Sequence, residues 1–271
     1  MVIDTHLHLG KLTSDLDNPQ QSLEKMKKAG IDGCAAFSTR PSEEINNTDR
    51  IKEVISFCKD IETFYPIYWI DPTADDAIAQ VDYAVEAGIV GFKVICSDHY
   101  PGDPRAMKTY KKMAEVRKSL LFHTGILWDG KNSSKYNRPA EYEDLLDVSG
   151  LKFAMAHISW PWTDECIAVY GKFQNAYRIR GDETSELYID TTPGTPGIYR
   201  EDALKKLYTV GYDIKDNILF GTDRMANNFD TEDAKWMLEY DRGVHAQLLT
   251  PAEDQDKFFY KNFYKFWGID K

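Results

Sequence analysis

The sequence predicts an α/β fold of the (β/α)8 TIM barrel class, and three observations lead there. Short apolar runs alternate with amphipathic stretches along nearly the whole chain, which is the pattern of strand–helix units around a parallel sheet. Eight such apolar runs can be counted, enough to close a ring. The length of 271 residues lies near the roughly 250 typical of this architecture. One domain over residues 1–271 is expected.

The first strand, Val2–His8, is a short apolar segment ending in His6-Leu7-His8. Gly33–Ser38, Phe64–Ile70 and Val90–Cys96 follow as further apolar runs, then Leu120–His123, Phe153–His157, Leu187–Thr191 and Ile218–Thr222. Helical patterns fill the intervals: Gln20–Ala29, Ser42–Cys58, Asp75–Ala87, Arg105–Lys118, Ala140–Val148, Asp164–Gln174, Arg200–Val210 and Thr231–Arg242. Gly30, Gly88, Gly150, Gly211 and Gly243 stand where helices should end, because glycine takes the left-handed capping conformation without penalty. Near the end of the chain Phe259, Phe263, Phe266 and Trp267 share one helical face, which predicts core packing. The loops Ser97–Pro104, Gly125–Pro139 and Thr191–Tyr199 are long and rich in Gly, Pro, Asn, Asp and aromatics, as loops at an active-site rim would be.

Composition narrows the function. A net charge of −11, from 33 basic and 44 acidic residues, argues against a nucleic-acid surface and against anionic membranes. Cys34, Cys58, Cys96 and Cys166 are far apart and lack C-x-x-C spacing, so they read as buried thiols rather than a zinc knuckle or disulfide framework. No signal-peptide pattern and no apolar run long enough to span a bilayer is found, so a cytoplasmic protein acting on a small-molecule substrate is expected. The sequence leaves oligomeric state open, a homo-oligomer included.

Of six histidines in the chain, four fall at predicted strand ends: His6, His8, His123 and His157. His6 and His8 are two residues apart on a strand and so face one side, and neutral imidazole is the commonest ligand for zinc-like metals. Asp223, reached from Ile218-Leu219-Phe220 through Gly221-Thr222, joins the same rim. Singly, each has a plainer reading, as a strand cap or as an N-cap of the next helix. Lys93 interrupts the apolar Val90–Cys96 run, where a buried ammonium needs a reason. Strand parity sets it with Gly91, opposite Phe92 and Val94, which turns it inward. It would pair with an inward carboxylate such as Asp4 or Asp190, snorkel to the rim, contact a substrate anion, or be carbamylated.

This set resembles the amidohydrolase superfamily of metal-dependent TIM-barrel hydrolases over essentially the whole chain. The resemblance rests on His6-x-His8 at strand one, Lys93 at strand four, His123 at strand five, His157 at strand six and Gly221-Thr222-Asp223 at strand eight. Ile3-Asp4-Thr5-His6-Leu7-His8, Phe220-Gly221-Thr222-Asp223 and the closing Asn262…Phe266-Trp267-Gly268-Ile269 look most like the branch that includes aminocarboxymuconate-semialdehyde decarboxylase and 2-pyrone-4,6-dicarboxylate hydrolase. The resemblance implies a divalent metal, zinc by preference. One ion would sit on His6, His8, His123 and Asp223, with His157 left as acid–base residue. Two ions would add carbamylated Lys93 and recruit His157 as a ligand, and the nearer branch favours one.

Three imidazoles and a carboxylate leave one coordination position open, the mark of a catalytic zinc site, and a water there has its pKa drawn down towards roughly 7. Asp223 would take the water's proton and pass it to the leaving group, while His157 stabilises the developing oxyanion. Hydrolysis of a small amide, lactone or ester follows as the expected reaction. Non-oxidative decarboxylation, which the resembled branch also supports, is the alternative. Arg224, Arg40 and Arg138 are candidates for holding a substrate carboxylate, because guanidinium binds it bidentately. Trp128, Trp160 and Trp162 could wall the pocket or simply pack their loops, and His99 is either a substrate contact or a loop residue.

Overall fold

The computed structural model describes residues 1–10, 18–42, 44–193 and 195–270. Glu43, inside the expected 42–58 helical pattern, and Gly194, inside the 191–199 loop, lie outside the described residues. Parallel strands β1 (Ile3–His8), β2 (Gly33–Phe37), β3 (Phe64–Trp69), β4 (Gly91–Val94), β5 (Ser119–Phe122), β6 (Lys152–Met155) and β7 (Glu186–Asp190) pair in chain order. The eighth strand comes in two pieces, β8 (Ile218–Leu219) on β7 and β9 (Arg224–Met225) on β1. Between them the Thr5 N–H donates to the Phe220 carbonyl at 3.0 Å, so β1 closes the ring along both pieces. The result is the expected TIM barrel.

Helices α1 (Pro19–Lys28), α2 (Asn47–Cys58), α3 (Ala77–Ala87), α4 (Pro104–Glu115), α5 (Thr163–Arg180), α6 (Gly197–Thr209) and α7 (Thr231–Gln247) lie between and after the strands. Over Pro139–Asp147 the expected helix is a run of 3-10 turns. Gly30, Gly88, Gly150 and Gly211 have positive φ, as predicted of caps. Gly243 does not end a helix: α7 runs through it to Gln247, because Val244 and His245 are buried beyond it. That burial outweighs the ~1 kcal/mol a mid-helix glycine costs.

Two apolar layers follow the period-two alternation of the strands. Ala35, Phe37, Ile67, Leu121, Ala154, Tyr188 and Leu219 fill the barrel, while Ala36, Phe92, Val94, Phe122, Phe153 and Ile189 belong to the core between sheet and helices. On β1 the register against β2 slips between Asp4 and Leu7, leaving one extra residue. Ile3 therefore faces the interior while Leu7 faces the helices, and this bulge reverses the parity so that His6 and His8 point inward. At the opposite end α8 (Ala252–Asp256), a π-helical turn over Lys257–Lys261, and α9 (Asn262–Trp267) complete the chain. Phe263, Phe266 and Trp267 plug the barrel base, as expected, while Phe259 packs with Phe220 in the outer core. All four cysteines are buried free thiols. No helix among the described residues is long and apolar enough to cross a membrane.

Candidate metal centre and active site

His6, His8 and Asp223 converge at the strand ends. His6 Nε2 and His8 Nε2 lie 3.4 and 3.1 Å from Asp223 Oδ1, and donor atoms of the three residues fall within 4.8 Å of one another. Asp223 sits in left-handed backbone, with φ of 55°, at the break in the eighth strand. Asp4 holds that break in place: its Oδ1 accepts the His6 and Thr222 N–H groups, each at 2.9 Å, and its Oδ2 accepts the Thr222 hydroxyl. The candidate ligands His6 and Asp223 are thus referenced to one buried side chain.

His6 Nδ1 lies 2.7 Å from Asp190 Oδ2. Its N–H goes to that carboxylate and its Nε2 keeps a lone pair for coordination, the arrangement that orients metal-binding imidazoles. Burial, with Lys93 nearby, holds the His6 pKa well below the usual imidazole range. Burial alone would raise the Asp223 carboxyl, but His6, His8 and His157 around it hold it well below the ordinary carboxylate range. A neutral His6 imidazole beside an ionised Asp223 carboxylate is the pairing of protonation states a divalent cation needs. The donor set fits one such ion.

His157 and His123 form a second group beside the first. His157 Nδ1 is 4.0 Å from Asp223 Oδ2, and its Nε2 is 3.1 Å from His123 Nδ1. His123 Nε2 in turn lies 3.2 Å from the Ile126 carbonyl. The structure therefore brings His6, His8 and Asp223 together as one group and sets His123 against His157. Burial lowers the His157 pKa to about 4 and pushes His123 well below its usual value, helped by His157 and Lys93.

By strict alternation His157 would face outward, because Ala154 and Ala156 face in. The expected strand to His157 ends instead at Met155, and His157, Ile158 and Ser159 take left-handed φ of 64°, 46° and 52°. Such backbone costs of order 1 kcal/mol or more per residue and clusters at functional sites. The Thr195 hydroxyl donates to the His157 carbonyl at 2.9 Å. Nearby, Ser159 Oγ donates to Thr124 Oγ1 at 2.8 Å.

Lys93 points inward, as parity predicts, with Nζ 3.3 Å from His6 Nε2 and over the Phe37 ring. Burial lowers its pKa to about 8 against the opposing pull of Asp223 and Asp190. Burial also raises Asp190 and Asp4 to about 6 each. Asp190 and Asp4 make their side-chain hydrogen bonds away from Lys93, Asp190 with His6 and Asp4 with Thr222.

A family model described as amidohydrolase matches residues 3–269. The chain belongs to the amidohydrolase family. Among solved structures, this amidohydrolase resembles a TIM-barrel protein from Bordetella bronchiseptica at a TM-score of 0.68 and 19% identity, covering 99% of this chain and 98% of that one. It also resembles 2,6-dihydroxybenzoate decarboxylase from Rhizobium at 0.67 and 14%, covering 100% and 98%. Dihydroorotase from Campylobacter jejuni follows at 0.61 and 18%, covering 100% and 84%. At these identities the likeness is one of fold. No curated protein matches the chain in sequence.

The amidohydrolase site does not gather every candidate for substrate binding. Arg224, next to Asp223, donates from Nη2 to Asp233 Oδ2. Arg40 is exposed beyond β2, and Trp128 is 80% exposed. Arg138 binds Glu165 at 2.6 Å and stacks over Trp162. His99 is buried, with Nδ1 2.9 Å from Asp98 Oδ1. Trp69 was absent from the candidates, yet its ring lies 5.7 Å from that of His8. Asp190 and Thr192 also belong to the site. Asp190 ends β7 as His8 ends β1, a signal present in the sequence.

Proposed function

We propose that this amidohydrolase is a metal-dependent hydrolase of a small amide, lactone or ester bearing a carboxylate. The observation that carries the reading is the convergence of His6 Nε2, His8 Nε2 and Asp223 Oδ1 at the mouth of the barrel. A divalent cation on these residues, zinc by preference for an imidazole–carboxylate set, supplies Lewis acidity when bound. His123 is the further ligand to test, and Lys93 with His157 the pair that a second ion would require.

The two oxygens of Asp223 face different partners. Oδ1 faces the ligand histidines, and Oδ2 faces His157. Asp223 accepts the proton of the attacking water and delivers it to the departing nitrogen or oxygen as the acyl bond breaks. His157, neutral at physiological pH, stands beside Asp223 Oδ2 as the acid–base residue of the site. Lys93, buried and facing inward, offers the positive charge for a substrate anion, while Arg224 and Arg40 at the rim would meet the same anion only by leaving their present positions. Four buried free thiols suit a reducing, cytoplasmic setting.

Zinc-loaded protein offered a panel of small carboxylate-bearing lactones, amides and esters tests the reading, with Asp223→Asn alongside. Hydrolysis that incorporates solvent oxygen and falls at least a hundredfold in the variant is expected. Full turnover by a metal-retaining Asp223→Asn protein would overturn the role of Asp223. CO₂ release without water incorporation would replace hydrolysis by decarboxylation.

A further inference from the structure

Thr192, two residues beyond the end of β7, is fully buried among the charged groups of the site. Its hydroxyl oxygen lies 2.9 Å from His157 Nδ1, 3.1 Å from Asp190 Oδ2 and 3.5 Å from His6 Nδ1. Its backbone N–H donates to Asp190 Oδ1 at 2.9 Å. The methyl group is confined as well, because a Cβ on Gly221 would stand 2.5 Å from Thr192 Cγ2. Only a glycine at that point of the broken strand leaves room for the methyl. Filling the space fixes the threonine rotamer and aims the hydroxyl.

A threonine hydroxyl donates one hydrogen bond and accepts others. The carboxylate is the strongest acceptor within its reach, so the hydroxyl proton goes to Asp190 Oδ2. The oxygen lone pairs are then left for an N–H from His157.

We propose that Thr192 is a positioning residue that holds the His157 imidazole with its proton on Nδ1, through the chain His157 Nδ1–H to Thr192 Oγ1–H to Asp190 Oδ2. The same carboxylate takes the Nδ1–H of His6. Asp190 is then the common anchor of a ligand histidine and the acid–base histidine, and Thr192 extends its reach to the second. In this order His123 donates from Nδ1 to the His157 Nε2 lone pair. Its unprotonated Nε2, the form a metal ligand requires, gives up the hydrogen bond to the Ile126 carbonyl 3.2 Å away, a weaker acceptor than the Asp190 carboxylate. The opposite order starts from His123 Nε2–H donating to the Ile126 carbonyl and places the His157 proton on Nε2. The catalytic meaning of this link rests on the reading of His157 given above, but the link itself is measured without turnover.

With six histidines in the chain, long-range proton–nitrogen correlation on zinc-loaded, histidine-labelled protein resolves each ring, and His157→Asn assigns the signal of interest. Wild type is expected to show the Nδ1-protonated pattern, Thr192→Ser to keep it, and the near-isosteric Thr192→Val to lose it while the His99 and His245 signals stay in place. An Nε2-protonated His157 in wild type overturns the proposal, and that measurement decides alone if the valine variant does not fold. An unchanged His157 signal in Thr192→Val overturns it too. Protein that shows the Nδ1 pattern and no hydrolysis would retain this link and discard the hydrolytic reading.

Discussion

Asp190 Oδ2 stands 2.7 Å from His6 Nδ1, so the carboxylate that ends β7 orients the first histidine of β1 across the barrel. The contact commits one ring nitrogen to donation and turns the other toward Asp223. Replacing Asp190 with Asn removes the charge and offers an NH₂ group that competes for the wrong tautomer. Zinc affinity, measured by competition with a chromophoric chelator, is expected to fall about 10- to 100-fold. Equal affinity in Asp190→Asn would show that His6 needs no such anchor.

Lys93 carries a pH prediction for the metal-free protein. Its ammonium is lost more easily in the folded chain, at about 8 against 10.5, so between these values the unfolded state holds more protons and stability rises with pH. Below that window the burial cost is fully present, on the order of 3 kcal/mol. Lys93→Met should be the more stable protein in urea at neutral pH, and its advantage should shrink as pH rises through the window. A gap between the two proteins that does not change with pH would contradict a buried ammonium.

At the barrel base, a Cβ on Gly91 would stand 2.2 Å from the Trp267 ring. Gly91→Ala should therefore cost about 1–3 kcal/mol through overpacking. Trp267→Phe takes away the part of the ring that collides. A double-mutant cycle in denaturant should show the pair less destabilised than the sum of the singles, and strict additivity would mean that α9 moves aside freely.

Much of this site was legible in the residues themselves. Period-two alternation placed Lys93 inward because β4 is a regular strand, and the aromatic face of the last helix announced its core packing. His6 and His8 share a face by spacing, but that the face is the inner one depends on the β1 bulge, which no composition signals. His157 lay further from reach, since three consecutive left-handed residues, one of them the β-branched Ile158, go against local preference and are held by Thr195 and neighbouring backbone. Gly243 misled for a related reason, because packing of α7 overrode an intrinsic helix-ending tendency. Arg224 has the right chain position for a substrate contact, but Asp233, nine residues on, captures it.

Arg200 offers a test of the scaffold behind the site. Buried between α6 and α7, it binds Asp241 through Nε at 2.7 Å and Nη2 at 2.6 Å, and also donates to the Thr191 carbonyl beside Thr192. Arg200→Met strands a buried carboxylate and should destabilise by about 3–5 kcal/mol. Pairing it with Asp241→Leu should restore most of that loss in thermal unfolding. No recovery would mean that the Thr191 contact, rather than the ion pair, is what matters.

The break between β8 and β9 gives the proposed metal group a place in the order of assembly. A chain truncated before Ile218 contains His6, His8, Lys93, His123 and His157 but lacks both Asp223 and the Phe220 carbonyl that receives Thr5. The complete donor set exists only after the two ends of the sequence meet, so an ion bound there acts as a clasp on the seam of the ring. Its binding free energy adds to the closed state alone. Stripping the ion should therefore register first as faster amide exchange along β1 and β9, while the β4–β6 side of the barrel stays protected.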